Sequence, residues 1–442
     1  MTKVRLILER VSLVIRLLQL FGFVFKQVWV NPVRVKGISS LFRLLKKNLA
    51  SPSTDDYDPC SVDELYQWEG GAARINSNFE NRNLVAHVRL IGDVITRSIG
   101  HTALGMSQRF IIQQLNLDNK YYLTMANEFG NKHYFGYWSE FSPCLKTLPS
   151  LSRLAEIASP GLWEQIDSVS CFGKVMSVQE ATSVLFYRWF VQENKNSILT
   201  LIDSDLERGN AWMKRRGISE SDWYVVLHNR WTKEGLANPR NNSIQDYIPA
   251  IKWIINLGGF VIKVGLADGQ EIKGLGRQYI DYSNSEERCE ELDIFLIAKS
   301  KYMLACSSGP AFVATSFGIP TLHLNFTDLG RMAFYPKSLV VPKLRIPKNA
   351  RSRGKFSEVL QSGLYDGDSL EGSSAREFGF RANTSDEILS AAQEFYSFVT
   401  AQSWRALASQ DDVIQGLINS RTGYKTTKVS KSFSDKHHTY FS

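Results

Sequence analysis

The sequence predicts an α/β protein with two successive Rossmann-like units, because apolar strands alternate with helices twice along the chain. The first series starts with the apolar run 84–90, which leads through a glycine-containing loop into a helix expected from Thr102. The second starts with the continuous apolar run 223–228, typical of a strand buried on both faces of a parallel sheet. At 442 residues the chain is long enough for two such domains and terminal extensions.

Each starting strand is followed by further strands and helices, which Gly or Pro often terminates. In the first unit we expect a strand at residues 121–125 and a mostly helical stretch at 162–191. In the second unit the pattern predicts strands at 260–264, 302–306 and 321–325, and helices at 248–257, 294–298 and 311–317.

These patterns divide the chain into five segments. They are a basic amphipathic segment at 1–50, a linker rich in Ser, Pro and Asp at 51–80, an N-terminal Rossmann-like domain at 81–215, a C-terminal Rossmann-like domain at 216–422, and a polar, basic tail at 423–442 that we expect to be disordered.

The positive charge of the chain is concentrated at its N-terminus. Residues 1–50 contain ten Lys or Arg and one acid, Glu9, whereas the whole chain carries a net charge of +8, so the remaining 392 residues have a net charge of −1. A nearly neutral body argues against a nucleic-acid-binding face. Polar residues recur every three or four positions along one face of the predicted N-terminal helix, interrupted only by Phe23: Arg5, Glu9, Ser12, Arg16, Gln19 and Lys26.

This polar stripe favours an amphipathic helix lying in the plane of an anionic membrane surface. A Lys or Arg at the centre of a membrane span costs about 2.5 to 3.5 kcal/mol, whereas the same side chain at the interface faces lipid phosphates. The alternatives are a true span and a helix packed on the body or on a partner. Five cysteines without a C-x-x-C pair fit a reducing cytoplasm, so the expected location is cytoplasmic and peripheral to the inner face of the cell membrane.

Small residues follow the strand predicted at 302–306. Ser307, Ser308 and Gly309 stand between that strand and a helix, where backbone N–H groups are available to an anion. Ligands of open α/β sheets bind beyond the carboxyl ends of the strands. The segment is therefore predicted to bind phosphate, and a simple tight turn is the alternative.

Charged and amide side chains follow the strand predicted at 223–228. Arg230 and Arg240 could each hold a diphosphate through paired N–H donors, with His228 and Asn241 beside them. A surface ion pair or a cap is the alternative for these residues.

In this order the motifs resemble a family of bacterial glycosyltransferases encoded at surface-polysaccharide loci and, more remotely, the GT-B fucosyltransferases with an H-x-R motif. The shared motifs lie within residues 84–343 and are Gly100-His101, His228-x-Arg230, Arg240-Asn241 with Ile244 and Tyr247-Ile248, Asp281-Tyr282, Leu292-Asp293 with Phe295-Leu296, and Ser308-Gly309-Pro310. The resemblance implies a GT-B fold, in which two Rossmann-like domains face a cleft, the first for the acceptor and the second for the nucleotide-sugar. The chain departs from the fucosyltransferases at Asn229-Arg230, where they commonly have two arginines.

The same resemblance implies a metal-independent enzyme with no cofactor other than its nucleotide-sugar co-substrate. Arg230 would hold the donor β-phosphate, and residues 307–309 would lie near the diphosphate. Without a metal, an arginine and a helix N-terminus must stabilise the leaving group. The candidate base for the acceptor hydroxyl is His101, at the start of the first helix, with Asp93 as the second catalytic candidate. A histidine bonded to its own turn is the alternative.

Other functions remain open from the sequence. A GT-A transferase would bind metal through D-x-D, which occurs at 203–205 and 366–368, but the first is typical of a capped helix start and the second lies in a Gly/Ser-rich loop. A sugar-nucleotide epimerase and a non-catalytic glycan-binding protein also fit. The membrane-binding segment favours transfer to a glycan or lipid-linked acceptor.

Overall fold

The structure, a computed structural model, describes residues 88–118, 121–142, 164, 168–235, 238–327, 334–347, 378–404 and 424–441. The predicted amphipathic segment, the linker and the second D-x-D motif lie outside these ranges. In the described ranges, no helix combines the length and apolar character that a membrane crossing requires. The chain divides into two compact units, and every described residue belongs to the one formed by 87–147 and 159–442.

The described residues up to 215 form two small sheets and a set of helices. Its strands pair two by two: β1 Val88–Ile91 in parallel with β2 Tyr121–Thr124, and β3 Ser168–Cys171 antiparallel with β4 Lys174–Ser177. Its helices are α1 Asp93–Thr96, α2 Ile99–Gln114, α3 Lys132–Gly136, α4 Val178–Phe186, which continues into a π-helix at Tyr187–Gln192, and α5 Asp203–Arg215.

The β3–β4 hairpin corrects the prediction of a mostly helical stretch at 162–191. Phe172 and Gly173 form its two-residue turn, and both have a positive φ, as the tight turns of antiparallel hairpins require. Buried and half-buried residues alternate along β3, which is the two-residue period of a strand. Among the described residues of this stretch, the helical ones are those from 178 onward.

The described residues after 215 form a larger sheet with helices between its strands. The strands are β5 Tyr224–His228, β6 Phe260–Lys263, β7 Tyr279–Asp281, β8 Tyr302–Ala305, β9 Thr321–Phe326, β10 Ser338–Pro342, the antiparallel pair β11 Leu344–Pro347 and β12 Phe378–Arg381, and β13 Lys428–Val429. The helices are α6 Ile248–Asn256, α7 Glu290–Lys299, α8 Pro310–Ser316, α9 Ser385–Ala401, α10 Lys431–Lys436 and α11 His438–Phe441, with 3₁₀ turns at Ile244–Tyr247 and Tyr282–Asn284.

Seven of the described strands form one parallel sheet in the order β13-β10-β9-β8-β5-β6-β7. The chain runs from β5 outward through β6 to β7, returns to β8 on the other side of β5, and continues outward through β9 and β10. This is the order of a doubly wound sheet, whose direction of winding reverses between β5 and β8. The predicted α/β class is confirmed for this part of the chain.

Two hydrophobic clusters cover the two faces of the sheet. Val226 of β5 faces a cluster that contains residues of α7 and α8, while its neighbours Val225 and Leu227 face a cluster with residues of α6 and α9. This burial on both sides explains why the strands are continuous apolar runs. The first cluster also contains residues of α2 and α5, so the two predicted Rossmann-like segments share a hydrophobic core.

The C-terminal residues 424–441 are ordered, which corrects the prediction of a disordered tail. Strand β13 pairs in parallel with β10, and Val429 and Phe433 are buried in the core. The Glu394 carboxylate of α9 accepts hydrogen bonds from the Ser430 hydroxyl and the Lys431 N–H at 2.6 and 2.9 Å. A polar composition predicted disorder, but one short strand and two buried side chains dock the segment on the sheet.

Candidate functional site

The loops predicted to bind the donor begin side by side at the point where the winding of the sheet reverses. His228 ends β5 and is paired with Ala305, which ends β8. The N–H of Cys306 donates to the carbonyl oxygen of His228 at 3.1 Å. Arg230 and the segment 307–309 therefore leave adjacent central strands at the same edge of the sheet, where doubly wound proteins bind their ligands.

Arg240 connects the two loops. Its Nη2 and Nε donate to the carbonyl oxygen of Ser307 at 2.7 and 3.2 Å. The hydroxyl oxygen of Ser307 accepts a hydrogen bond from the N–H of Thr327, which follows β9, at 3.0 Å. Arg240 and Thr327 thus both bond to Ser307, and the bonds of Arg240 fix the position of the loop after β8.

Asn241 shapes the loop that follows β5. Its buried amide donates to the carbonyl oxygens of Thr232 and Gly235 at 3.3 and 2.8 Å. The next residue, Asn242, donates its N–H to the carbonyl oxygen of Arg230 at 2.9 Å. These bonds join residues 230–235 to residues 241 and 242. A direct contact of Asn241 with a donor stays a prediction.

His228 is positioned as a hydrogen-bond acceptor. Its Nδ1 lies 3.1 Å from the carbonyl oxygen of Val264, so this nitrogen carries the proton, and burial lowers the pKa of the ring. The neutral ring then presents a lone pair on Nε2, which has no partner among the described residues. A lone pair suits a hydroxyl or an N–H group better than a phosphate oxygen.

Buried polar atoms without a protein partner concentrate at the same loop. Within the described ranges they include Nε of Arg230 and the side-chain oxygens of Asn229, Asn241 and Asn242. Each such atom costs about 1 to 3 kcal/mol unless water or a ligand completes its bonding. Polar groups are therefore concentrated in the loop that follows β5.

The first half of the chain reaches this site through a contact between two glycines. A Cβ built on Gly100, in the first turn of α2, would lie 2.7 Å from Cα of Gly309, and a Cβ on Gly309 would lie 2.7 Å from the backbone nitrogen of Gly100. The two backbones therefore touch with no side chain between them. His101 is exposed and directly follows Gly100, so the candidate base stands next to the loop after β8.

Asp93 is occupied by backbone contacts in the structure. Its Oδ1 accepts hydrogen bonds from the N–H groups of Asn127 and Glu128 at 2.6 and 2.8 Å. The carboxylate thereby fixes the loop that follows β2. A catalytic role for Asp93 stays a prediction.

Sequence reasoning missed Lys343, which lies between β10 and β11. This lysine is 3% exposed, and its Nζ donates to the carbonyl oxygens of Pro239 and Asn241 at 2.9 and 2.8 Å. Burial lowers the pKa of Lys343 to about 8. The available signal was a lysine inside the apolar run 338–346, where a charged residue needs a specific partner.

The first D-x-D motif opens α5, as predicted, but its side chains do not cap the helix. The N-cap is Ile202, without a side-chain bond, so the capping explanation was wrong. Asp205 is buried instead, and its Oδ2 accepts a hydrogen bond from the hydroxyl of Tyr137 at 2.5 Å and lies 2.6 Å from Nε2 of His133. Across the described residues, no group of three or more His, Cys, Asp or Glu is arranged to hold a metal ion.

Comparisons with known proteins find solved structures that resemble this chain in part, but they assign the chain to no family. No protein-family model and no curated protein matches the chain. Similar solved structures include the E. coli ADP-heptose lps heptosyltransferase II, which is 12% identical, covers 72% of this chain and 99% of its own, and has a TM-score of 0.41. A glycosyl transferase of family 9 from Veillonella parvula is 9% identical, covers 71% and 98%, and has the same TM-score of 0.41. Similarity of this degree assigns no activity to the chain.

Proposed function

We propose that the chain is a metal-independent GT-B glycosyltransferase that moves a sugar from a nucleotide-sugar to a glycan or lipid-linked acceptor in surface-polysaccharide synthesis. The observation that carries the proposal is the site where the winding reverses: Arg230 follows β5, and the small residues 307–309 follow the adjacent β8. Such a site favours a phosphorylated ligand. The sugar-transfer part rests on the motifs shared with surface-polysaccharide glycosyltransferases.

In this proposal each half of the chain has its own task. The Arg230 guanidinium and the backbone N–H groups of 307–309 bind the diphosphate and stabilise the charge that develops on the leaving group. Nε2 of His228 accepts a hydrogen bond from a hydroxyl group of the nucleotide-sugar. His101 removes the proton from the acceptor hydroxyl, across the cleft of a GT-B arrangement.

Nucleotides of the kind released by sugar transfer provide the direct test. We expect one of UDP, GDP, CMP, ADP and TDP to raise the melting temperature, because a ligand at roughly a hundredfold excess over its Kd stabilises by about 2.7 kcal/mol. The matching nucleotide-sugar should then be consumed in the presence of an acceptor. Conversion of the sugar without an acceptor would indicate an epimerase. Binding without turnover would indicate a glycan-binding protein, and no stabilisation by any of the five would contradict the proposal.

The D-x-D motif at 203–205 should be structural. We expect Asp205→Asn to lower the free energy of unfolding by about 1 to 3 kcal/mol, because the amide disturbs the buried bonds with His133 and Tyr137. The matched change Asp203→Asn, at an exposed position, should shift it by less than about 0.5 kcal/mol. Thermal denaturation measures both, and both folded variants should keep transferase activity in EDTA. If the wild type instead requires Mn²⁺ or Mg²⁺ strictly, and if Asp203→Asn loses that metal-dependent activity, the result would support GT-A chemistry.

We further propose that residues 1–50 hold the protein at the inner face of the cell membrane. The support is the charge and the polar stripe of that segment. Full-length protein should sediment with anionic vesicles less well at high salt, and a chain that lacks residues 1–50 should not sediment with them. Resistance of the full-length protein to carbonate extraction would indicate a spanning helix instead.

A further inference from the structure

Lys343 holds the loop after β5 from a different part of the sheet. The lysine directly follows β10, about one hundred residues along the chain from the loop. The two carbonyl oxygens that its ammonium contacts, those of Pro239 and Asn241, belong to the residues on either side of Arg240. Arg240 in turn donates two hydrogen bonds to the carbonyl oxygen of Ser307. Lys343 is therefore linked to the loop after β8 by two sets of hydrogen bonds, which the backbone and side chain of Arg240 connect covalently.

A buried ammonium is a costly way to make these contacts. Transfer of a charge out of water is strongly unfavourable unless the charge is compensated, and both of the bonds made by Lys343 go to neutral carbonyl oxygens. The groups that face it are the carboxylate of Asp246, which favours its charged form, the buried thiol of Cys306, and the loop that carries Arg240. An apolar side chain of the same length would fill this space at a lower electrostatic cost. The buried ammonium of Lys343 therefore points to a role in the loop after β5 that an apolar side chain could not fill.

We propose that Lys343 is a positioning residue for the diphosphate site. By holding the carbonyl groups of Pro239 and Asn241, it fixes Arg240 against Ser307 and so fixes the loop after β5 relative to the loop after β8. Diphosphate binding needs donors from both loops in one geometry, and a loop that is already ordered binds without the cost of ordering it. The identity of the anion rests on the proposed function, whereas the positioning of the loop does not.

The chain offers a matched control at the opposite end of the same strand. Lys337 directly precedes β10, and its Nζ also donates to two backbone carbonyl oxygens, those of Asn196 and Gly318 at 3.0 and 3.4 Å. Burial lowers the pKa of Lys337 as well. Lys337 is half-buried whereas Lys343 is fully buried, so Lys337 controls for the loss of a lysine bonded to backbone carbonyl groups at a different loop.

The experiment compares Lys343→Met, Lys343→Arg and Lys337→Met with the wild type in two measurements. Hydrogen exchange of the backbone amides at 238–242 and 306–309 reports on the loops, and calorimetric titration with inorganic pyrophosphate reports on the site. For Lys343→Met we expect faster exchange in both segments and a Kd about tenfold higher, because binding must now order the loop. Lys343→Arg should restore part of both effects, and Lys337→Met should leave both measurements as in the wild type.

The possible outcomes separate the two proposals. Unchanged exchange and an unchanged Kd in folded Lys343→Met would overturn the positioning role, as would equal effects of Lys337→Met. Faster exchange in Lys343→Met, with no binding of pyrophosphate even to the wild type, would overturn the proposed function and leave Lys343 as a structural support of the loop. If Lys343→Met does not fold, Lys343→Arg provides the same test, since a planar guanidinium cannot reproduce the geometry of an ammonium between two carbonyl groups.

Discussion

Changing Arg230 to Ala is expected to lower kcat/KM by about 10²- to 10³-fold. The side chain follows β5 at the reversal point, and its Nε is buried without a protein partner within the described ranges. Its charge-assisted bonds to a diphosphate would strengthen as negative charge develops on the leaving group, so kcat should fall together with the affinity for the donor. Steady-state kinetics with the nucleotide-sugar identified by the stability screen measures both parameters.

Two further variants define what Arg230 contributes. Arg230→Lys should restore only part of the activity, because an ammonium keeps the charge but not the planar pair of donors. Arg208→Ala serves as the control, since Arg208 is an exposed arginine of α5 whose partner is Glu291 at 3.5 Å, and we expect it to keep nearly normal kinetics. If folded Arg230→Ala also keeps nearly normal kcat/KM, the H-x-R resemblance is misleading and the donor site lies elsewhere.

The central strands could be predicted because their burial is visible in the local amino-acid sequence. Residues of β5, β6, β8 and β9 are buried along their whole length, so β5, β6 and β8 are mostly apolar, and β9 alternates apolar residues with buried polar ones. The helices between them were placed correctly for the same reason, although α7 begins at Glu290, four residues before the predicted start. The start was missed because the first turn of α7 consists largely of acidic residues, which interrupt the apolar pattern.

The roles of the site residues could be predicted only in part, because they depend on contacts between distant segments. Brändén's rule needs only the ends of strands and led to the segments of Arg230 and Ser307, which the structure shows to follow two adjacent strands. Their binding of a donor stays a prediction. That Arg240 contacts the carbonyl oxygen of Ser307, 67 residues away, depends on how the loop after β5 folds back. Lys343 is 102 residues from Asn241, and no local pattern relates the two.

The errors have the same origin. The tail was expected to be disordered because it is polar, yet the pairing of β13 with β10 uses backbone groups that composition does not record. The hairpin at residues 168–177 lies in a stretch that was expected to be mostly helical, and its few apolar residues do not define the two-residue period of a strand. In both cases the structure depends on pairing between backbone groups: β13 pairs with β10, and β3 pairs with β4 across a tight turn.

The contact between Gly100 and Gly309 predicts the second large effect. Gly100→Ala places a methyl group 2.7 Å from a backbone atom, which cannot rotate away as a flexible side chain would. We expect the free energy of unfolding to fall by about 1 to 3 kcal/mol as α2 moves away from the loop after β8. Because His101 moves with α2, kcat should fall by up to about 10²-fold for a displacement of about 1 Å.

A matched glycine and a double variant test this explanation. In Gly136→Ala, on α3, the new Cβ would have no atom within 4 Å, so that variant should be as stable and as active as the wild type. Gly309→Ala forces the same two backbones apart, and the double variant Gly100→Ala/Gly309→Ala should therefore lose less stability than the sum of the two single changes. Denaturant unfolding and steady-state kinetics of all four proteins measure these effects. Full additivity, or a Gly100→Ala protein that behaves like Gly136→Ala, would show that the two backbones are not held in contact and that α2 does not position His101 at this site.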